Sequence, residues 1–247
     1  MATASPHPRG AIPQNVGTPK QDAGISRQQE DETSGVAHKP RRFVCCVMTT
    51  NRRNNVVELI RSAGIIRRAE LEALGVPPSS LYRLVREGRV ERLDRGLYAA
   101  ADHEPSAEHA LALVAKRVPA GVVCLLTALR FHGLTTQAPA DVWIALPEKA
   151  RRPKLAYPRL RVARFSGAAL KEGIEMHEIE GVHVPVYSAA KTVADCFKYR
   201  NKVGIDVAVE ALRDFGTRFR GRATELAHYA RICRVTRVMQ PYLDAIA

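Results

Sequence analysis

Residues 51–101 read NRRNNVVELIRSAGIIRRAELEALGVPPSSLYRLVREGRVERLDRGLYAAA, and this stretch decides the fold of the first half of the chain. It holds three short helical patterns, a turn and an alternating tail. In the first pattern Val56, Val57, Leu59 and Ile60 make an apolar stripe. The second is brief, with Ala69, Leu71 and Leu74 apolar. Gly75 stands where a helix ends, because glycine adopts the left-handed conformation without a Cβ clash. Val76 and Pro77 form the turn, and Pro78 suits the opening of the third helix, where an N–H would have no partner anyway. Leu81, Leu84 and Val85 recur at spacings of three and four and face inward. That leaves Ser79, Ser80, Tyr82, Arg83 and Arg86 pointing outward. Forked arginine donors match guanine edges and hydroxyls match phosphates, so this face suits a major-groove recognition helix. Gly88 closes the helix, and RVERLDRGLY then alternates as a hairpin carrying Arg92 and Arg95. The order is that of a winged helix-turn-helix. The plainer alternative is a three-helix interaction module with a solvated basic face.

Charge agrees with the nucleic-acid reading. The 247 residues include 38 Lys and Arg against 25 Asp and Glu, a formal net charge of +13. Such an excess calls for a polyanionic partner, and nucleic acid gains affinity through counterion release. An anionic membrane surface is the weaker candidate. No apolar run approaches the ~20 residues that a spanning helix needs. Residues 1–30 lack the apolar core of a signal peptide, so we expect a cytoplasmic protein that does not engage membrane. Five cysteines without a secretory signal argue against a disulfide framework. Cys45 and Cys46 are adjacent, and the histidines are scattered. We therefore expect no metal and no cofactor.

Along the chain the sequence predicts an α+β protein. Residues 1–47, rich in Pro, Gly, Ser and Gln, are expected to be a disordered tail. Residues 48–101 are read as the winged helix-turn-helix domain. Residues 102–247 are read as a mixed α/β C-terminal domain ending in a helical bundle. In this second part PSAEHALALVAKRVP reads as a helix with Ser106 near its start. DVWIALP and LRVARF read as strands, and IEMHEIEGVHVPVYS as two strands joined near Glu180–Gly181. Helices follow, the first capped by Ser188. Basic residues cluster at Arg151, Arg152, Lys154, Arg159, Arg161 and Arg164, again around Lys191–Lys202, and again from Arg213 to Arg237. They are either a solubilising surface or a second phosphate-binding face.

Enzyme motifs fail on inspection. Lys191–Thr192 resembles the end of a P-loop, yet Pro185 and Ala190 occupy positions where that loop needs glycine. Glu148 and Lys149 are adjacent, which breaks the acid-x-Lys spacing of restriction-type nucleases. His177 and His183 share a hairpin without a completing ligand set, and no GxSxG or GxGxxG occurs. We expect no catalytic residues.

Three further stretches bear on family. RGLYAA closes the first unit. LTALRFHGLTTQAPADVWIALPEKARRP and VPVYSAAKTVADCFKYRNKVGIDVAVEALRD follow it. Together they resemble the AbiEi-type antitoxins of bacterial type IV toxin–antitoxin systems, over about residues 50–240. The resemblance implies an antitoxin of an abortive-infection, phage-defence system. It would oppose a cognate nucleotidyltransferase-like toxin without needing stable contact, and would repress its own operon by binding double-stranded promoter DNA. Carried onto this sequence, DNA contacts fall to Ser79, Ser80, Tyr82, Arg83 and Arg86, with Arg92 and Arg95 from the hairpin; the charge run adds Arg151 and Arg152. The resemblance places the antitoxic surface at Lys191, Asp195, Lys198, Tyr199 and Arg200. Pro77–Pro78 departs from the small polar or basic residues that relatives carry there. The alternative is a stand-alone winged-helix regulator whose second domain binds a ligand or oligomerises. RNA binding gains little, since aromatics are 6% and form no stacking platform.

Overall fold

The computed structural model describes residues 55–246, and the tail expected over 1–47 lies outside them. The described residues are α+β. Helix α1 covers residues 55–63 and buries Val57 and Ile60. A two-residue strand β1 (Ile66–Arg67) leads into α2 (Arg68–Ala73). At its start the Glu70 carboxylate accepts from the Arg67 N–H at 3.0 Å. At its end Gly75 takes φ +79°, while Val76 N–H bonds to Leu71 O and Gly75 N–H to Glu72 O, a Schellman closure. Pro78 opens α3 (Pro78–Arg86) at its first position. Gly88, at φ +69°, closes α3 in the same manner through Arg89 N–H to Leu84 O. Strands β2 (Val90–Asp94) and β3 (Leu97–Ala100) form an antiparallel hairpin, with β1 on the other side of β3. Val57, Ile60, Leu71, Leu81, Leu84 and Val90 share one apolar cluster.

Helix α4 (His109–Arg117) then leads to a five-stranded mixed sheet. Its strands are β4 (Val122–Val123), β5 (Val142–Pro147), β6 (Leu160–Phe165), β7 (Ile174–Ile179) and β8 (Val182–Tyr187). Their spatial order is β6-β5-β4-β8-β7. Alternation divides the side chains cleanly. Val142, Ile144, Leu146, Val184 and Val186 join α4 on one face, whereas Trp143, Ala145, Phe165 and Tyr187 point to the other. Helix α5 (Leu125–Phe131), the short α6 (Ala168–Lys171) and α7 (Ala189–Lys198) contribute to that second face. So do α9 (Ile205–Arg218), α10 (Ala223–Ile232) and α11 (Thr236–Ile246), with a single turn α8 (Arg200–Val203) between α7 and α9. The expected strands and principal helices occur. The two-residue β1 and β4 and the four-residue α6 and α8 are not expected from the sequence, because so few residues carry too little periodicity to register. Among the described residues no helix is long and apolar enough to cross a membrane.

The two sheets share packing. Ile65, just before β1, and Leu97 of β3 belong to the same apolar cluster as α4 and β8. The β7–β8 turn, Glu180–Gly181, has φ +51° and +72°, the double left-handed geometry of a tight two-residue hairpin. Its backbone lies against the end of α1: a Cβ on Gly64 would meet Glu180 O at 1.8 Å, and one on Gly181 would meet Ala63 O at 2.7 Å. Gly88 is equally left-handed but has open space around its missing Cβ. Gly88→Ala should therefore cost about 1–2 kcal/mol of backbone strain. Gly64→Ala must also push the turn away and should cost more than about 3 kcal/mol. Urea unfolding of the two variants measures the difference, and equal costs would contradict the close approach.

Candidate nucleic-acid interface

Helix geometry sorts the residues of α3 into faces. Leu81 and Leu84 point into the core, and Ser79, Arg83 and Arg86 lie on the opposite side. Ser80 lies on one flank and Tyr82 on the other. Tyr82 is 52% exposed, but its hydroxyl accepts from the Arg68 guanidinium at 2.9 Å. That guanidinium in turn pairs with Glu72 at 2.7 Å, so α2 fixes the tyrosine ring. Arg83 is half-buried, with Glu87 at 3.9 Å. Arg86 is exposed near the helix end.

The hairpin is braced from behind. Arg92 is exposed, its Nε donating to Asp94 O at 3.3 Å, and Arg95 precedes Gly96 at the tip. Arg117 of α4 pairs with Asp94 at 3.1 Å and donates to Arg95 O at 2.9 Å. Lys116, beside it, pairs with Glu70 of α2 at 2.8 Å. One turn of α4 thus anchors both α2 and the hairpin, leaving Arg86 of α3 and Arg92 and Arg95 of the hairpin to solvent.

This helix–turn–helix–hairpin segment matches the family model of the AbiEi antitoxin transcriptional regulators over residues 55–101. Over this segment the chain is similar to the AbiEi antitoxin transcriptional regulators. Comparison with curated proteins gave no match. The AbiEi segment coincides with the three-stranded sheet and its helices, and ends one residue after β3.

Arg151 and Arg152 lie outside it, exposed on the β5–β6 connection. Because β5 runs antiparallel to β4, and β4 parallel to β8, this connection starts at the sheet end that also carries the Glu180–Gly181 turn. The rest of the basic run is more engaged. Arg159 and Arg161 pair with Asp141 at 3.6 and 2.8 Å, and Arg164 donates to Pro147 O at 2.8 Å. The run is therefore less of a uniform phosphate face than its sequence suggests.

The antitoxic surface expected at α7 requires correction. Lys191 and Asp195 are both fully buried, and their side chains pair at 2.5 Å within the second core. The Lys191 ammonium lies 4.3 Å from the centre of the Tyr187 ring and 4.9 Å from that of Phe165. The other Asp195 oxygen accepts from the Cys233 thiol at 3.1 Å. Neither residue can meet a partner. Tyr199 is half-buried and donates its hydroxyl to Arg164 O, and Arg200 is half-buried and donates to Phe197 O at 3.0 Å. Of the five, Lys198 is the exposed one. The i,i+4 spacing of Lys191 and Asp195 gave no warning, since exposed and buried pairs share it. Burial also pushes the Cys124 and Cys196 thiols well up, and Cys233 to about 12, which leaves these cysteines inert.

Sequence reasoning missed a polar cluster where the two sheets meet. Glu180 Oε2 lies 2.8 Å from His103 Nε2 and 2.7 Å from His109 Nδ1. Its Oε1 accepts from the Ser106 N–H at 2.6 Å and from the Ser106 hydroxyl at 2.8 Å. Burial raises the carboxyl's pKa, but the hydrogen bonds from His109, Ser106 and His103 outweigh it and hold the group at about 2. Sequence separations of 71 to 77 residues hid the association.

Removing one partner of a buried ion pair strands the other charge. Lys191→Ala should thus cost about 3–5 kcal/mol, whereas Lys198→Ala should stay within about 0.5 kcal/mol. Denaturant unfolding checks both. A mild Lys191→Ala would contradict the buried pairing.

Proposed function

We propose that this chain is a DNA-binding antitoxin and autorepressor, not an enzyme, acting in the cytoplasm. The observation that carries the reading is the AbiEi match over residues 55–101, coinciding with a braced segment whose α3 turns Ser79, Arg83 and Arg86 away from the core. In this reading the segment works as a winged helix-turn-helix. Helix α3 enters the major groove of double-stranded promoter DNA, Arg83 and Arg86 read base edges, and Ser79 and Ser80 contact phosphates. Tyr82, fixed by Arg68, sets the helix against one strand. The β2–β3 hairpin is the wing, with Arg92 and Arg95 meeting the adjacent backbone. Arg151 and Arg152 add phosphate contacts from the second part of the chain.

The remainder, through its helical C-terminal part, supplies or assists antitoxicity against a nucleotidyltransferase-like toxin encoded beside it. With Lys191 and Asp195 in the core, a contribution from α7 rests on Lys198 and the exposed edges of Tyr199 and Arg200.

Two classes of variant separate the roles. Arg83→Ala and Arg86→Ala should each lose about 1–3 kcal/mol of discrimination between promoter and scrambled duplex. Replacing Arg151 and Arg152 by Ala should weaken both duplexes evenly and flatten the salt dependence by about one unit of slope for each arginine replaced. Fluorescence anisotropy across a salt series reads both effects. Equal loss on both duplexes for all four positions would overturn this division of labour.

A further inference from the structure

The cluster at the junction is better built than a buried carboxylate requires. The Glu180 side chain is 5% exposed, with His103 and His109 at 15% and 20%. Among the described residues its ion-pair partners are these two imidazoles, and no Lys or Arg supplies a permanent positive charge. Both facing nitrogens point at the same oxygen, and the three candidate ligand atoms lie within 4.8 Å of one another. Ser106 occupies Oε1 with two donors, which fixes the carboxylate and presents Oε2 to the rings. Hydrogen bonding at one oxygen while the other faces two imidazoles is the outer-shell arrangement that orients metal ligands.

We propose that His103, His109 and Glu180 form a three-ligand site for a zinc-class divalent metal, bound through His103 Nε2, His109 Nδ1 and Glu180 Oε2. Two imidazoles and one carboxylate are a zinc donor set that leaves a fourth position for water. Metal–ligand bonds of about 2.0–2.2 Å in a tetrahedron separate the ligand atoms by roughly 3.4 Å. The nitrogen–oxygen contacts of 2.7 and 2.8 Å need to open by only about 0.6 Å, within reach of two histidine side chains that stay partly exposed. Metal entry displaces the protons now shared with Oε2 and replaces two hydrogen bonds by coordination to a charge that the buried carboxylate otherwise lacks. The three ligands come from the loop after β3, the start of α4 and the β7–β8 turn. The ion would therefore clamp the hairpin exit, the bracing helix and the second sheet together. This inference does not depend on DNA or toxin binding.

The test uses the full-length, tag-free chain stripped with chelator, titrated first with ZnCl2 and then with CoCl2. The wild type should take up zinc at this site with a rise in melting temperature. Its cobalt form should show the visible bands of a tetrahedral nitrogen–oxygen site without thiolate charge transfer. The His103→Gln/His109→Gln double variant, which keeps side-chain amide donors for Glu180, should melt near the wild type in chelator and lose the zinc-dependent rise. Ser106→Ala keeps all three ligands and should weaken zinc about 10–100-fold. No zinc-dependent rise in the wild type would overturn the proposal. So would an equal rise in wild type and double variant, or a thiolate-dominated cobalt spectrum, because each places the metal elsewhere.

Discussion

The structure depends on one backbone contact, the fit of the Glu180–Gly181 turn against the end of α1. Ala63 and Gly64 approach that turn so closely that neither glycine leaves room for a Cβ. Ile65 N–H reaches Glu180 O at 3.4 Å, and the Ile65 side chain then enters the cluster shared with α4 and β8. The position of β1, and hence of β3 and β2, follows from this contact because β1 begins directly after it. Helix α4 completes the frame. Its first residue, His109, holds Glu180, while its last turn holds Glu70 of α2 and Asp94 of the hairpin.

The proposed DNA-reading role would benefit from such a frame. Contacts that distinguish bases require side chains placed to within a fraction of an ångström, and a site built on braced helices and strands achieves this better than one on loops. The two Schellman closures, at Gly75 and Gly88, fix where α2 and α3 stop, and Pro78 fixes where α3 starts. Arg68 donates to the Tyr82 hydroxyl and favours one orientation of the ring. On the outer side of α3 this leaves Ser79, Arg83 and Arg86, the groups proposed to meet nucleic acid.

Much of this architecture was legible in the sequence because its signals are local. Pro78 at a helix start, Gly75 and Gly88 at helix ends, Glu180–Gly181 in a two-residue turn and Ser188 as a cap all act on backbone within a few residues of themselves. Alternation in VHVPVY and DVWIALP likewise reports one strand at a time. The candidate site was only partly legible. Outward positions on α3 follow from period alone, but depth does not: Lys191 and Asp195 carry charges that ordinarily mark a surface, yet Tyr187, Phe165 and Cys233 enclose and satisfy them. The histidines looked scattered because proximity of His103 and His109 to Glu180 is produced by the sheet junction and by nothing in their spacing. Ser106, expected near a helix start, serves Glu180 instead, and α4 begins at His109.

In the function proposed above, residues 55–101, held on this frame, read sequence and do more than attract phosphate. The most direct measurement is equilibrium binding of the intact chain to duplex from its own promoter and to a scrambled duplex of equal length, over a range of salt. Salt-sensitive binding to both is expected, with tighter binding to the promoter that persists as salt rises, because base contacts are not screened as phosphate contacts are. Equal affinities with the same salt slope for the two duplexes would contradict it.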